Sequence, residues 1–211
     1  TQDDIPPVMQ LFQLIAYSHD GDWTTAANGI RFRFLDAGHI LGSAVTELEI
    51  TENGRTRGLV FTGDLGRPGM PLLRDPEFPT APDQTLIMEA TYGTRRHGDI
   101  AAVEEQLMSV IRQAMERKSR VVVPAFSLGR TQALVYILHR MTDAGKIPRI
   151  PIVVDSPLAQ RITDVYERHQ REYDTDTTTD FTQKNEDPLY FRNLEYTHTV
   201  DESKALNSRG G

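Results

Sequence analysis

The sequence predicts a mixed α/β chain, β-rich over residues 1–92 and α/β with a parallel sheet over residues 93–211. Three observations lead there. In the first part, short runs alternate apolar and polar residues, or are wholly apolar, between glycines and prolines, the pattern of strands. In the second part, short apolar runs alternate with longer segments of helical period, the pattern of βαβ units. With 38% hydrophobic and 25% charged residues, 211 residues can build a sizeable core.

Ile30–Leu35 sets Ile30, Phe32 and Phe34 against Arg31 and Arg33 and leads to Asp36, Gly38 and His39. Ala44–Thr51 alternates as well. Glu52-Asn53-Gly54 then reads as a hairpin turn into the strand Leu59–Thr62, which leads to Gly63 and Asp64. Leu86–Met88 leads to Glu89. Beyond these, Asp99 caps a predicted helix to about Arg117, with Val103, Leu107, Val110 and Ile111 as its buried face. Val121–Val123 reads as a buried strand closed by Pro124. Ser127 or Thr131 opens a helix through about Met141, ending near Gly145. Ile152–Val154 is a further strand. Ser156-Pro157 starts a helix to about Tyr173, and Asp174–Asp180 reads as a polar loop.

Composition removes several function classes. No apolar run approaches the ~18 residues that cross a bilayer, so no membrane partner is expected. The chain has no cysteine. Thiolate metal sites are therefore excluded, and any metal must sit on His, Asp or Glu. The default compartment is cytoplasmic. The net charge of −7 argues mildly against nucleic-acid binding by charge alone, but a bound metal ion can supply local positive charge at a phosphate.

Three candidate ligands end three strands at similar spacing. His39 lies in AGHILGSA, Asp64 in FTGDLG and Glu89 in MEATYG. Each alone has a plain structural reading: a turn histidine, a turn-capping aspartate, a salt-bridged glutamate. Together they are what a ligand or acid–base cluster along one sheet edge requires. PAFSLGRTQ places Ser127, Arg130 and Thr131 at a strand–turn–helix junction. Backbone N–H groups there favour anions, and an arginine can fork onto phosphate oxygens. An ordinary capped helix is the competing reading. DSPLAQR (Asp155–Arg161) repeats the layout more weakly.

AGHILGSA, FTGDLGRP, MEATYG, PAFSLGRTQALVYIL and VVDSPLA, in this order and spacing, resemble the β-CASP family of metallo-β-lactamase-fold nucleases. The similarity is to its RNA-processing branch, with ribonuclease J and the pre-mRNA 3′-end cleavage endonuclease. The resemblance implies a partial metallo-β-lactamase αββα sandwich over 1–92 and an inserted β-CASP α/β domain over 93–211, truncated at its C-terminal end. It implies zinc ligation by His39 and Asp64, with Asp64 bridging two ions. Glu89 would be the acidic residue that opens the β-CASP region and partners a histidine. It implies RNA as the partner and admits a homodimer.

The family's HxHxDH motif is absent. The six histidines are His19, His39, His97, His139, His169 and His198, and no two are separated by a single residue. The expectation is an internal piece of a longer enzyme, with Thr1–Asp4 starting a helix in mid-domain and Gly210-Gly211 at a cut. Such a piece would be inactive alone, bind zinc weakly or not at all, and leave apolar surface exposed. The implied reaction of the intact enzyme is phosphodiester hydrolysis between two zinc ions. The rivals are a metallo-β-lactamase-fold hydrolase of a small ester or thioester and a non-catalytic RNA-binding homologue.

Overall fold

The computed structural model describes residues 2–18, 21–79, 84–96 and 98–208; His19, His97, Thr1 and Gly210-Gly211 lie outside them. The chain divides into two units. The first comprises residues 1–37, 42–65 and 76–89, and the second residues 38–41, 66–75 and 90–211.

The first unit holds a short helix α1 (Ile5–Met9) and one five-stranded sheet. Its strands are β1 (Thr24–Ala27), β2 (Ile30–Asp36), β3 (Ala44–Glu52), β4 (Arg55–Phe61) and β5 (Gln84–Ile87). They lie side by side in sequence order. The first three pairings are antiparallel and β4–β5 is parallel. The predicted Asn53-Gly54 hairpin joins β3 to β4, with φ of 50° and 73°, the left-handed pair that a two-residue turn needs.

Register sets Arg31 opposite Glu49 and Arg33 opposite Glu47. Trp23 lies under both guanidinium groups, at 4.6 and 4.8 Å. Glu47 is fully buried. Arg33 Nε donates to it at 2.5 Å, and Gln84 Nε2 donates to its other oxygen. Gln84 reaches over β4 because Gly58 lies beneath it: a Cβ on Gly58 would sit 2.6 Å from Gln84 Cγ. Farther along, Leu35, Ala37, Val45 and Val60 form the core, with Leu65 against it. The alternate residues Phe32, Phe34, Leu48, Ile50, Leu59 and Phe61 form an apolar opposite face. Phe61 is 49% exposed and Ile50 39%, in line with the expectation of exposed apolar surface.

The second unit contains α2 (Ile100–Glu116), α3 (Arg130–Asp143), β6 (Ile152–Val154), α4 (Pro157–Arg168), α5 (Thr175–Asp180), β7 (Leu194–Tyr196) and α6 (Val200–Leu206). β6 and β7 pair in parallel; a parallel pairing was expected, but β7 is a strand that the sequence reading did not identify. Helix α3 contributes to two cores. Val135 and Tyr136 pack with Leu72, Tyr166, Tyr173, Phe181 and Leu189. Leu138 and Met141 pack with Ile111 and Ile147. Burial raises the phenol pKa of both Tyr136 and Tyr166 above the usual value.

Several sequence expectations are corrected here. In α2, capped by Asp99 as expected, Val103 and Val110 are 55% and 47% exposed, while Glu104 is buried. Arg140 and Lys146 take the Glu104 carboxylate, and this ion pair turns the helix by a fraction of a turn from its purely apolar face. Val121–Val123 joins no sheet among the described residues, and Val122 is 85% exposed. Strand propensity without a hydrogen-bonding neighbour does not make a strand. Neither Ser127 nor Thr131 caps α3; Gly129 does, at φ 79°. Helix α4 stops at Arg168, short of Tyr173. Asp174–Asp180 is not a loop. Asp174 is an N-cap whose Oδ1 accepts from Thr177 N at 2.6 Å, and a helix follows.

Asp174 also accepts from Leu72 N at 3.0 Å, beside an isolated bridge between Leu73 and Tyr173 and an ion pair between Arg74 and Glu172. One carboxylate thus caps α5 and fastens residues 72–74. Asp174→Ala is expected to lower stability by about 1–2 kcal/mol, the usual loss for an N-cap, and Asp174→Asn by less. Urea unfolding of the three proteins measures it; an unchanged midpoint for the alanine variant would contradict the assignment.

Candidate functional site

In the first unit, β4 leads directly into the loop carrying Asp64. Thr62 is buried. Its N–H donates to Ile87 O at 3.1 Å, and its hydroxyl to Gly63 O at 2.8 Å. Gly63 turns the chain at φ 55°. Glu89, just past β5, accepts from Leu65 N at 2.6 Å through Oε1. Glu89 therefore holds the backbone immediately after Asp64, while Asp64 itself is exposed. A carboxylate that fixes a neighbouring loop by a charge-assisted bond to an amide is a strong local restraint.

His39 belongs to the second unit, in the segment Gly38–Leu41, and is exposed. Gly38 and Gly42 around it take φ of 61° and 88°, the sharp turns that the sequence suggested. Within the same unit Leu41 N donates to the Tyr166 hydroxyl at 3.3 Å, which ties this segment to α4. Among the described residues no group of three or more His, Asp or Glu is placed to hold a metal ion.

The loop leading into α3 gathers Ser127, Arg130 and Thr131. Gly129 fits there because it lacks a side chain: a Cβ would lie 2.6 Å from Ile40 Cγ2, at a backbone angle that other residues rarely adopt. Thr131 is buried and its hydroxyl donates to Phe126 O at 2.8 Å, so it serves the loop's own backbone. Ser127 Oγ lies 3.3 Å from Ser156 Oγ, the N-cap of α4. The loop before α3 and the N-cap of α4 therefore meet at two hydroxyls. Arg130 is exposed, its guanidinium 5.3 Å from the ring centre of Phe126.

Sequence reasoning missed the residue that organises this junction. Gln132 is fully buried. Its Oε1 accepts from Gly129 N at 2.8 Å. Its Nε2 lies 3.1 Å from Ser127 O, 3.0 Å from Thr163 Oγ1 and 3.4 Å from Ala159 O. The legible signal was a glutamine at the third helical position, reaching back to the capping residue. In the second such motif, DSPLAQR, Asp155 accepts from Thr197 Oγ1 at 2.8 Å and Ser203 Oγ at 2.9 Å, past the ends of β6 and β7.

Gln132→Ala leaves the half-buried Gly129 N–H and Ser127 carbonyl without this partner and opens a buried gap, each lost bond costing about 1–3 kcal/mol. The variant is expected to lose about 3 kcal/mol of stability in urea unfolding. A loss below about 1 kcal/mol would mean that water or a rearranged loop replaces the carboxamide.

Residues 131–211 match the model of the Beta-Casp domain. The chain is 31% identical to Ribonuclease TTHA0252 of Thermus thermophilus over 90% of its own length and 42% of the relative's. It is 33% identical to Endoribonuclease YSH1 of Candida glabrata over 83% of the chain and 23% of that protein. With Cleavage and polyadenylation specificity factor subunit 3 of Dictyostelium discoideum it shares 34% identity over 66% of the chain and 18% of that protein. The chain thus spans less than half the length of each of these relatives. The five sequence motifs, the Beta-Casp match that begins at Thr131 in α3, and the relatives that share most of the chain converge: residues 131–211 form a Beta-Casp domain, and the chain is similar over most of its length to proteins named as ribonucleases and endoribonucleases.

Proposed function

We propose that this chain is part of an RNA-processing nuclease that hydrolyses phosphodiester bonds. The observation that carries the reading is the similarity, over 90% of the chain, to a protein named as a ribonuclease, with further relatives named as endoribonucleases. Asp64 follows β4 and Arg130 opens α3, which is compatible with this reading. The first part of the chain is read as part of a metallo-β-lactamase sandwich, and the region from residue 93 onward as the β-CASP domain. Cytoplasmic location is part of the same proposal.

A metal ion follows from the family, and zinc is the ion proposed, with His39 and Asp64 as the ligands this chain contributes. The donors in hand do not form a complete site. A catalytic zinc needs three protein ligands, and the described residues include no group of three or more. The chain's own residues have definable tasks. Glu89 holds the amide of Leu65 and so presents Asp64 at the end of β4. Arg130 and Ser127, at the start of α3, would receive an RNA phosphate through a charged fork, a hydroxyl and the positive end of the helix.

The 211-residue chain, dialysed against zinc and then buffer, is expected to keep less than one ion and to leave labelled RNA uncut. Two tightly held ions per chain would show that it carries a complete site. In a longer form that cleaves RNA, Asp64→Asn is expected to lower kcat by more than about 100-fold, beyond the usual effect of residues that only support a ligand. A variant as active as wild type would remove Asp64 from the reaction. Arg130→Ala is expected to weaken RNA binding and to reduce the slope of log K against log salt by about one. Equal affinity at several salt concentrations would return Arg130 to an ordinary helix start.

A further inference from the structure

We infer that Phe126 is a stacking platform for an unpaired RNA base, working beside Arg130; this rests on the RNA reading above. Phe126 is 71% exposed, more than any other aromatic side chain among the described residues. Its backbone is nevertheless firmly held. Thr131 Oγ1 donates to Phe126 O at 2.8 Å, and the next carbonyl, Ser127 O, lies 3.1 Å from Gln132 Nε2. The ring is thus presented on a fixed loop rather than left on a loose one. An aromatic side chain left in water on a pinned backbone forgoes the gain from burial unless something covers it.

The neighbouring charge selects the occupant. The Arg130 guanidinium is 5.3 Å from the ring centre, and Arg130 is the first residue of α3. Ring, cation and the positive end of a 14-residue helix therefore share one surface. A nucleotide offers the complement, a flat π-face joined to an anion, and aromatic rings take bases of any sequence because every base has a face. An uncharged apolar peptide would cover the ring but leave the cation and helix end unmatched. Duplex RNA would satisfy the charge but keeps its bases stacked internally. A single strand with accessible bases satisfies both.

The test uses the 211-residue chain with a fluorescent oligouridylate and an abasic strand of equal length. Phe126→Ala is expected to weaken oligouridylate binding about tenfold, within the range seen when a stacking ring is truncated. It should leave the salt slope and the binding of the abasic strand unchanged. Arg130→Ala should instead lower the salt slope for both strands. Phe126→Trp should restore affinity, and its added fluorescence, over the baseline of the single native Trp23, should be quenched by oligouridylate but not by the abasic strand. If the wild-type chain binds RNA while Phe126→Ala binds equally well, or Phe126→Trp is not quenched, the platform is overturned and the RNA reading stands. If the wild-type chain binds neither strand, the RNA reading fails and the platform with it.

Discussion

Gln132 places a primary amide at full burial on the third residue of α3, where it survives only by finding partners on every side. It finds them in two directions along the chain: backward to Gly129 and Ser127, and across to Ala159 and Thr163 on α4. Because Ala159 is small and fully buried, the two helices can approach closely enough for the carboxamide to bridge them. The loop bearing Ser127, Arg130 and Phe126 inherits its shape from this one side chain. Unsatisfied buried amides are costly, so each alternative conformation of the loop would strand a donor or an acceptor.

The sheet of the first unit solves a similar problem with a charge. Glu47 is fully buried on the central strand, and an isolated carboxylate there would be strongly unfavourable. Arg33 from one side and Gln84 from the other take its two oxygens. The second contact exists only because β4 carries glycine at position 58. Parallel pairing of β5 is thereby linked to a buried acid two strands away. The same strand leads on to Glu89, whose carboxylate holds the loop after Asp64.

Much of this was legible in the sequence. The Asn53-Gly54 turn, the Asp99 cap, the Ser156-Pro157 helix start and the alternation in β2 and β3 are local signals, and local physics decides them. The misreadings share a cause: a distant partner decides the outcome. Glu104 is buried because Arg140 meets it, and no helical period announces that. Asp174–Asp180 is helical because Asp174 can cap it while also gripping Leu72; composition alone pointed to a loop. Val121–Val123 has a strand's composition but no neighbour to pair with among the described residues. Of the candidate site, the residue types and their placement at strand ends and helix starts were readable. The contacts of Glu89 with Leu65 N and of Thr131 with Phe126 O were not, because which backbone group each side chain reaches is set by the fold.

Helix α3 has a consequence for how the second unit comes apart. Val135 and Tyr136 belong to one core, Leu138 and Met141 to the other, so neither cluster can lose its packing without removing a wall of its neighbour. Two cores built on separate helices could open independently. Two cores built on opposite flanks of one helix are cooperative by construction, and partial opening is confined to elements outside the shared wall. The amides of α3 are therefore the natural gauge of global unfolding in this unit. The peripheral α6, which buries no residue, can fray and reform without either core registering it.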